Sequence, residues 1–303
     1  MRQLALSALV VSVFAGGLRA GESAPQFRAG VDLVSFAVVA SDKGGPVDGL
    51  TPEDFEILED GKPQSIRYFA QGDVTARFPL RLGLLLDVSG SMGRDIQLSR
   101  TAAIRFMNAV EHAKDITLVD FDTEVRLARY GQDDFPRLIE RIRNAEPDGW
   151  TAFYDAIQVY LNGMAMEDGQ KVLVLYTDGG DTRSRISMRQ VVDLLKLVDV
   201  TVYAIGFVNN QPSSVRMEQR LRLERLAEAT GGDAYFPGSK EQLGEMYDKI
   251  LEELNSRYTL GYVSSNPGAH GGWRNVDIRV TNPAFRGVKL RTRDGYYAAG
   301  SGL

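Results

Sequence analysis

Residues 82–92 read LGLLLDVSGSM, an uninterrupted apolar run that passes directly into one carboxylate and two hydroxyls at alternate positions. A strand that is apolar at every position is typical of a parallel sheet covered by helices on both faces. Open sheets of this kind bind ligands where their strands end, at the carboxyl edge. We therefore expect Asp87, Ser89 and Ser91 to lie at that edge, where closely spaced oxygen ligands suit a hard divalent cation.

The chain around this stretch alternates strands with helices. Apolar runs predict strands at Leu82–Leu86, Ile116–Phe121, Lys171–Tyr176, Thr201–Gly206 and Ala234–Phe236. Apolar residues at helical spacing predict helices at Asp95–Val110, Phe135–Asn144, Ala152–Ala165, Met188–Leu197, Arg216–Ala229 and Gln242–Leu254. Such alternation predicts an α/β fold, a doubly wound and mostly parallel sheet with helices on both faces. A further strand is predicted at Val125–Tyr130, only a few residues after the strand at Ile116–Phe121. The connection is too short for a crossover, so we expect these two strands to be antiparallel at one edge of the sheet.

Both ends of the chain have the alternating pattern of antiparallel strands. Before the α/β region, strands are predicted at Val31–Ala40, at Phe55–Glu59 and, after the turn Asp60-Gly61-Lys62, at Gln64–Phe69. After it, they are predicted at Tyr258–Val263, Trp273–Thr281 and Val288–Thr292. Neither end alone has enough strands for a core, so we expect residues 28–75 to pair with residues 257–298 in a small discontinuous β-sandwich. The α/β domain, residues 78–256, would be inserted in that sandwich.

The first 20 residues have the features of a secretory signal peptide. Arg2 precedes an apolar and small-residue run from Leu4 to Phe14, and Leu18-Arg19-Ala20 ends in a small residue suited to cleavage. The run is shorter than the roughly 20 residues of a spanning helix, so we expect no membrane span after cleavage, although an uncleaved anchor is the alternative. A secreted or periplasmic location, in a bacterial setting, follows from this prediction.

Composition restricts the classes of function. The chain of 303 residues has no cysteine, which excludes disulfides and thiolate metal sites. Its 40 acidic residues exceed its 35 basic ones, and without a basic stripe we expect no nucleic-acid partner. The oligomeric state is left open.

Two later loops contain the groups that a metal site at Asp87 would still need. Thr151 lies at the start of a predicted helix, and Asp178 follows the all-apolar strand at Lys171–Tyr176. If this strand neighbours the one at Leu82–Leu86, the carboxyl ends bring Asp87 and Asp178 together. A hydroxyl-rich ligand set leaves a cation under-neutralised, so the ion would attract a carboxylate from outside.

These residues resemble the metal-ion-dependent adhesion site of von Willebrand factor type A domains, a similarity that covers roughly residues 78–256. The resemblance rests on the Asp87-Val88-Ser89-Gly90-Ser91 run, on Thr151 and on Thr177-Asp178-Gly179. It implies that Ser89, Ser91 and Thr151 bind the metal directly, and that Asp87 and Asp178 bind it directly or through water. The implied ion is Mg²⁺, with Mn²⁺ or Ca²⁺ as alternatives, and the implied partner is a protein that offers a Glu or Asp carboxylate. The flanking β segments are similar to exported bacterial proteins that carry a related domain.

Other interpretations compete with this one. The Asp-x-Ser-x-Ser run could cap a helix, and Asp181 could be a further ligand or cap the helix near Ser187–Leu197. Trp150 could contact a partner or pack against the rim of the sheet. We expect no enzyme activity, because the nucleophile-elbow and phosphate-loop motifs are missing and only His112 and His270 could act as imidazole bases. The alternatives to an exported adhesion-type module are a structural envelope module with a stabilising or vestigial metal site and, less favoured, a metal-dependent hydrolase.

Overall fold

The structure of the protein, a computed structural model, describes residues 33–43, 45–72, 79–110, 113–266 and 271–298. The predicted signal peptide lies outside these ranges. The strands are β1 (Leu33–Asp42), β2 (Gly45–Pro46), β3 (Phe55–Glu59), β4 (Lys62–Gln64), β5 (Ile66–Gln71), β6 (Leu80–Asp87), β7 (Ala113–Phe121), β8 (Val125–Gly131), β9 (Gln170–Thr177), β10 (Val200–Gly206), β11 (Ala234–Tyr235), β12 (Tyr258–Val263), β13 (Trp273–Val280), β14 (Lys289–Arg291) and β15 (Gly295–Tyr297). The α-helices are α1 (Ile96–Ala109), α2 (Phe135–Asn144), α3 (Phe153–Met164), α4 (Met188–Leu197), α5 (Ser213–Glu228) and α6 (Lys240–Ser256).

Six strands form the central sheet in the order β11-β10-β9-β6-β7-β8. All neighbours are parallel except β7 and β8, which form the antiparallel edge that the short connection predicts. Strand β6 lies in the middle, with Leu84 opposite Leu118 of β7 and Val174 of β9. All eight residues of β6 are buried, because helices cover both faces of the sheet.

Each face of the sheet carries three helices. On one face α1, α2 and α6 contribute buried residues such as Phe106, Leu138 and Tyr247 to a shared core. On the other face α3, α4 and α5 bury residues such as Tyr160 and Leu223. The predicted doubly wound α/β arrangement is confirmed.

The sandwich is built from strands of both chain ends. One of its sheets has the order β14-β1-β12-β5, with β2 paired to β1, and the other has the order β15-β13-β3-β4. Phe36 of β1 lies opposite Leu260 of β12, and Ile57 of β3 lies opposite Ile278 of β13. The inner faces of the two sheets share one core, in which Tyr262 is fully buried. Neither end could bury these apolar faces without the other.

The prediction of one returning strand at Gln64–Phe69 is wrong. A tight turn at Asp60 and Gly61, both at positive φ, leads into β4, which pairs with β3 only as far as Gln64. From Ile66 the chain crosses to the other sheet and pairs with β12 as β5. The alternating pattern continues through the crossing, so local periodicity could not show which sheet each half joins.

The sandwich and the α/β domain are tied together by charged and backbone contacts. Helix α6 ends at Ser256, and a single residue, Arg257, separates it from β12. Arg291 of β14 donates to the carbonyl of Gly231 and to the carboxylate of Asp233, and it also pairs with Glu253 of α6. Among the described helices, none combines the length and the apolarity needed to cross a membrane.

Candidate metal centre

The candidate site lies at the carboxyl edge of the central sheet. Strands β6 and β9 are direct neighbours, with Leu86 opposite Tyr176. Asp87 is the last residue of β6 and Asp178 directly follows β9, so both lie at the same edge of the sheet. A short 3-10 helix, Gly90–Arg94, follows β6. The sheet order thus fulfils the condition on which the predicted meeting of the two carboxylates depended.

Asp87 is the centre of a dense hydrogen-bond network. Its Oδ1 accepts from the Ser89 backbone N–H at 2.9 Å and from the Ser89 hydroxyl at 2.6 Å. Its Oδ2 accepts from the Thr177 hydroxyl of β9 at 2.5 Å. The hydroxyls of Ser89 and Ser91 lie 3.2 Å apart. Asp87 and Ser89 are completely buried and Ser91 is exposed, so the network runs from the sheet edge to the surface.

Asp178 is oriented by Gln211, a residue outside the predicted site. Its Oδ2 accepts from the side-chain amide of Gln211 at 2.9 Å, and its Oδ1 accepts from the Gly180 N–H at 2.7 Å. Gln211 lies in the loop that follows β10, the neighbour of β9. Gln211 follows another apolar strand of the sequence, but only the strand order shows that this strand neighbours β9.

Thr151 is held between the other two loops by backbone contacts. Its N–H donates to the hydroxyl of Thr182, and its carbonyl accepts from the Thr182 and Arg183 N–H groups at 2.9 and 3.0 Å. Towards the Asp87 loop, the Gly90 N–H donates to the carbonyl of Gly149 at 3.2 Å. Gly149 has a φ of 71°, which glycine adopts without strain. Direct side-chain bonds therefore join Asp87, Ser89 and Ser91, whereas Thr151 reaches the same edge through its loop.

The electrostatics of the site are dominated by two buried like charges. Burial raises the pKa of Asp87 to about 7, with a further contribution from the carboxylate of Asp178, although the hydroxyls of Ser89 and Thr177 oppose the rise. Asp178 is 1% exposed. Within the described residues, no basic side chain lies within 4.0 Å of either carboxylate. Buried carboxylates are ordinarily paired with cationic side chains or with metal ions.

The structure excludes one of the two alternative roles considered for Asp181 and one of the two considered for Trp150. Asp181 does not cap α4, because Ser187 and Gln190 form that capping box; its Oδ1 instead accepts from the Ser184 hydroxyl and from the Tyr154 N–H at the start of α3. Trp150 is 65% exposed, which contradicts packing against the sheet rim. His112 and His270 both lie outside the described residues.

Comparison with known proteins agrees with this architecture. The model of the von Willebrand factor type A domain matches residues 82–249, more than half of the 303 residues. The chain belongs to this family.

Individual relatives are distant. A UPF0353 protein of Mycolicibacterium vanbaalenii is 27% identical over 131 residues, which are 42% of this chain and 37% of that protein. The chain thus matches little more than a third of the length of this curated relative. A solved von Willebrand factor type A protein from Catenulispora acidiphila has a TM-score of 0.50 and 12% identity, covering 90% of this chain and 75% of that one. Proximal thread matrix protein 1 of the mussel byssus, solved with a zinc-occupied MIDAS motif, has a TM-score of 0.48 and 18% identity, covering 64% of this chain and 49% of that one.

Proposed function

We propose that this protein is an exported, metal-dependent binding module. In this proposal Asp87, Ser89, Ser91, Thr151 and Asp178 hold a divalent cation, Mg²⁺ with Mn²⁺ or Ca²⁺ as alternatives. A Glu or Asp carboxylate of a partner protein would complete the coordination of the ion, so that the cation bridges the two proteins. Residues 1–20 would direct the chain to the periplasm or the exterior.

The observation that carries this proposal is the pair of buried carboxylates without a cationic neighbour. Leaving one buried charge uncompensated costs several kcal/mol, and here two buried carboxylates lie at the same sheet edge, where the charge of Asp178 helps to raise the pKa of Asp87. A divalent cation between them would remove the repulsion and replace it with attraction. The surrounding hydroxyls are neutral oxygen ligands, the type that Mg²⁺ and Ca²⁺ accept.

Access for a partner is consistent with the exposure of the site. Ser91 and Trp150 are both exposed, so two of the three loops present side chains to solvent beside the buried carboxylates. Two carboxylates only balance the two charges of the ion. The remaining ligands in the proposed set are neutral hydroxyls, so an acidic side chain of the partner would be drawn by the coordination position that these residues leave open.

One observation favours the alternative of a structural module. All four carboxylate oxygens of Asp87 and Asp178 accept hydrogen bonds from the chain itself, as the contacts with Ser89, Thr177, Gly180 and Gln211 show. The network could therefore order the sheet edge with a metal that only stabilises the fold. Any cation that binds the native state alone raises its stability by mass action, so thermal shifts do not separate the two functions.

The metal site is tested by isothermal titration of the protein with Mg²⁺, Mn²⁺ and Ca²⁺. We expect binding that Asp87→Ala and Ser89→Ala abolish. Asp248→Ala is the matched control, because Asp248 is an exposed acid on α6, on one face of the sheet rather than at its carboxyl edge. Unchanged binding in both site variants, with circular dichroism showing them folded, would refute the site.

The bridging function is tested separately by affinity capture from an envelope extract. A partner should be retained in Mg²⁺, released by EDTA and absent from the Asp87→Ala eluate. Metal binding without any metal-dependent partner would favour the structural module. If the protein were a metal-dependent hydrolase, the wild type would hydrolyse phosphoester or peptide substrates faster than the Asp87→Ala variant does. Equal background rates in the two proteins would exclude hydrolase activity on these substrates.

A further inference from the structure

A surface groove lies directly beside the candidate metal centre. Its volume is about 580 Å³, and its two walls are the segments from Gly93 to Arg100 and from Arg143 to Pro147. The first wall begins two residues after Ser91, and the second ends four residues before Thr151. Both walls are thus continuous with loops of the metal centre.

Backbone hydrogen bonds fix the two walls relative to the metal centre. The N–H of Asp148, immediately after the second wall, donates to the carbonyl of Val88 at 2.9 Å. The N–H of Gly90 donates to the carbonyl of Gly149 at 3.2 Å. A chain segment with one side chain at the metal centre could therefore continue into the groove over a short distance.

The groove carries unneutralised positive charge. Arg100 and Arg143 both line it, and neither has a described carboxylate within 4.0 Å. The Nε atom of Arg100 is buried and has no hydrogen-bond partner among the described residues. Glu146 is the acid among the lining residues, so the two arginines leave an excess of one positive charge. Guanidinium groups bind carboxylates through paired, charge-assisted hydrogen bonds.

We propose that this Arg100–Arg143 groove binds an acidic peptide segment of the partner, adjacent to the carboxylate that reaches the metal. The inference rests on the proposed function and deepens it. The partner is then recognised by a run of Asp or Glu residues rather than by one isolated acid. Part of the affinity comes from charges near the surface and weakens as salt rises.

Two labelled synthetic peptides test the groove by fluorescence anisotropy with the full chain in Mg²⁺. The first is hexaglutamate, and the second is a glycine-rich hexapeptide with a single central glutamate. We expect hexaglutamate to bind about tenfold more tightly, with a steeper loss of affinity in salt. Arg143→Glu should weaken hexaglutamate binding at least fivefold and change single-glutamate binding less than twofold.

Arg137→Glu is the matched control for this charge reversal. Arg137 lies on the same helix, α2, is 80% exposed and does not line the groove. If Arg143→Glu and Arg137→Glu changed the affinity for hexaglutamate equally, the proposal that the groove binds an acidic segment would be overturned. The lack of any hexaglutamate binding in Mg²⁺ would overturn it as well. Arg100→Gln is a second variant that removes one guanidinium without reversing a charge, and it should weaken hexaglutamate binding at least twofold.

The two proposals fail in different ways. Binding of the single-glutamate peptide that Asp87→Ala abolishes, combined with no effect of Arg143→Glu on hexaglutamate, would retain the metal bridge and reject the groove. Binding of hexaglutamate that depends on Arg143 but persists in EDTA would retain the groove and reject the bridge. Titration with Mg²⁺ alone should be unaffected by Arg143→Glu.

Discussion

Replacing Gly83 with alanine should destabilise the strand that carries Asp87. A Cβ atom at position 83 would lie 2.3 Å from Cε2 and 2.5 Å from Cζ of Tyr160. Ordinary contact would require these atoms to separate by roughly 1 Å, in a core that is close-packed. Tyr160 is fully buried on α3, so the shift would have to be shared by the helix and the sheet.

The magnitude follows from the cost of overpacking. Forcing an extra methyl group into a packed core costs about 1–3 kcal/mol. The loss of glycine's extra freedom in the unfolded chain returns roughly 0.5–1 kcal/mol. We therefore expect Gly83→Ala to lower the free energy of unfolding by about 1 kcal/mol, and by about 2.5 kcal/mol at most, seen as a lower urea midpoint with an unchanged slope.

Two further variants test whether contact with Tyr160 causes the loss of stability. Gly131→Ala is the control, because a Cβ at that position meets nothing within 4 Å and should leave stability unchanged or slightly raised. Tyr160→Leu removes Cε2, Cζ and the hydroxyl oxygen, the three atoms nearest to the new Cβ, so the double variant should cost less than the sum of the single ones. Additive effects within about 0.5 kcal/mol would show that the two positions do not clash.

Three other outcomes are expected. Arg81→Met should cost about 3–5 kcal/mol in urea unfolding, because it leaves the buried carboxylate of Asp115 without its cation; a change below about 1 kcal/mol would contradict this. Hydrogen bonds from the Thr51 backbone and from Asn282 lower the pKa of Asp54, so its ionised form stabilises the fold above its unfolded pKa, and this stability is lost as pH falls. The difference in unfolding free energy between wild type and Asp54→Asn should therefore narrow from pH 5 to pH 3, and a constant difference would rule out this contribution. Trp150→Ala should change stability by less than about 0.5 kcal/mol while reducing metal-dependent partner capture; normal capture would show that the exposed indole makes no contact.

Much of the α/β fold could be predicted from the sequence because its signals are local. A strand covered on both faces must be apolar at every position, and a helix covered on one face repeats its apolar residues every three to four positions. The α4 helix was predicted with the bounds at which it occurs, Met188–Leu197. For β6 the predicted strand was shorter than the observed one, because Arg81 is buried through ion pairs with Asp115 and Glu167 that lie far along the chain.

The candidate site was only partly predictable. Asp87, Ser89 and Ser91 are close in sequence, so one strand and one turn suffice to group them. The contribution of Gln211 depends on β10 being the neighbour of β9, which no local pattern shows. Of the two roles considered for Asp181, the cap of α4 is wrong for a similar reason, since the Tyr154 N–H that it accepts from, at the start of α3, is 27 positions away.

The sequence by itself determined the alternation of strands and helices, the position of the oxygen-rich turn after the central strand, and the small flanking strands. These follow from the periodicity of burial and from turn chemistry, which act over a few residues. Only the tertiary structure decided that the chain crosses to the opposite sheet as β5 after the β3–β4 hairpin, that Trp150 is exposed to solvent, and that Arg100 and Arg143 line one groove. These features depend on which distant segments pack together, and that choice is made by the burial of whole sheet and helix faces.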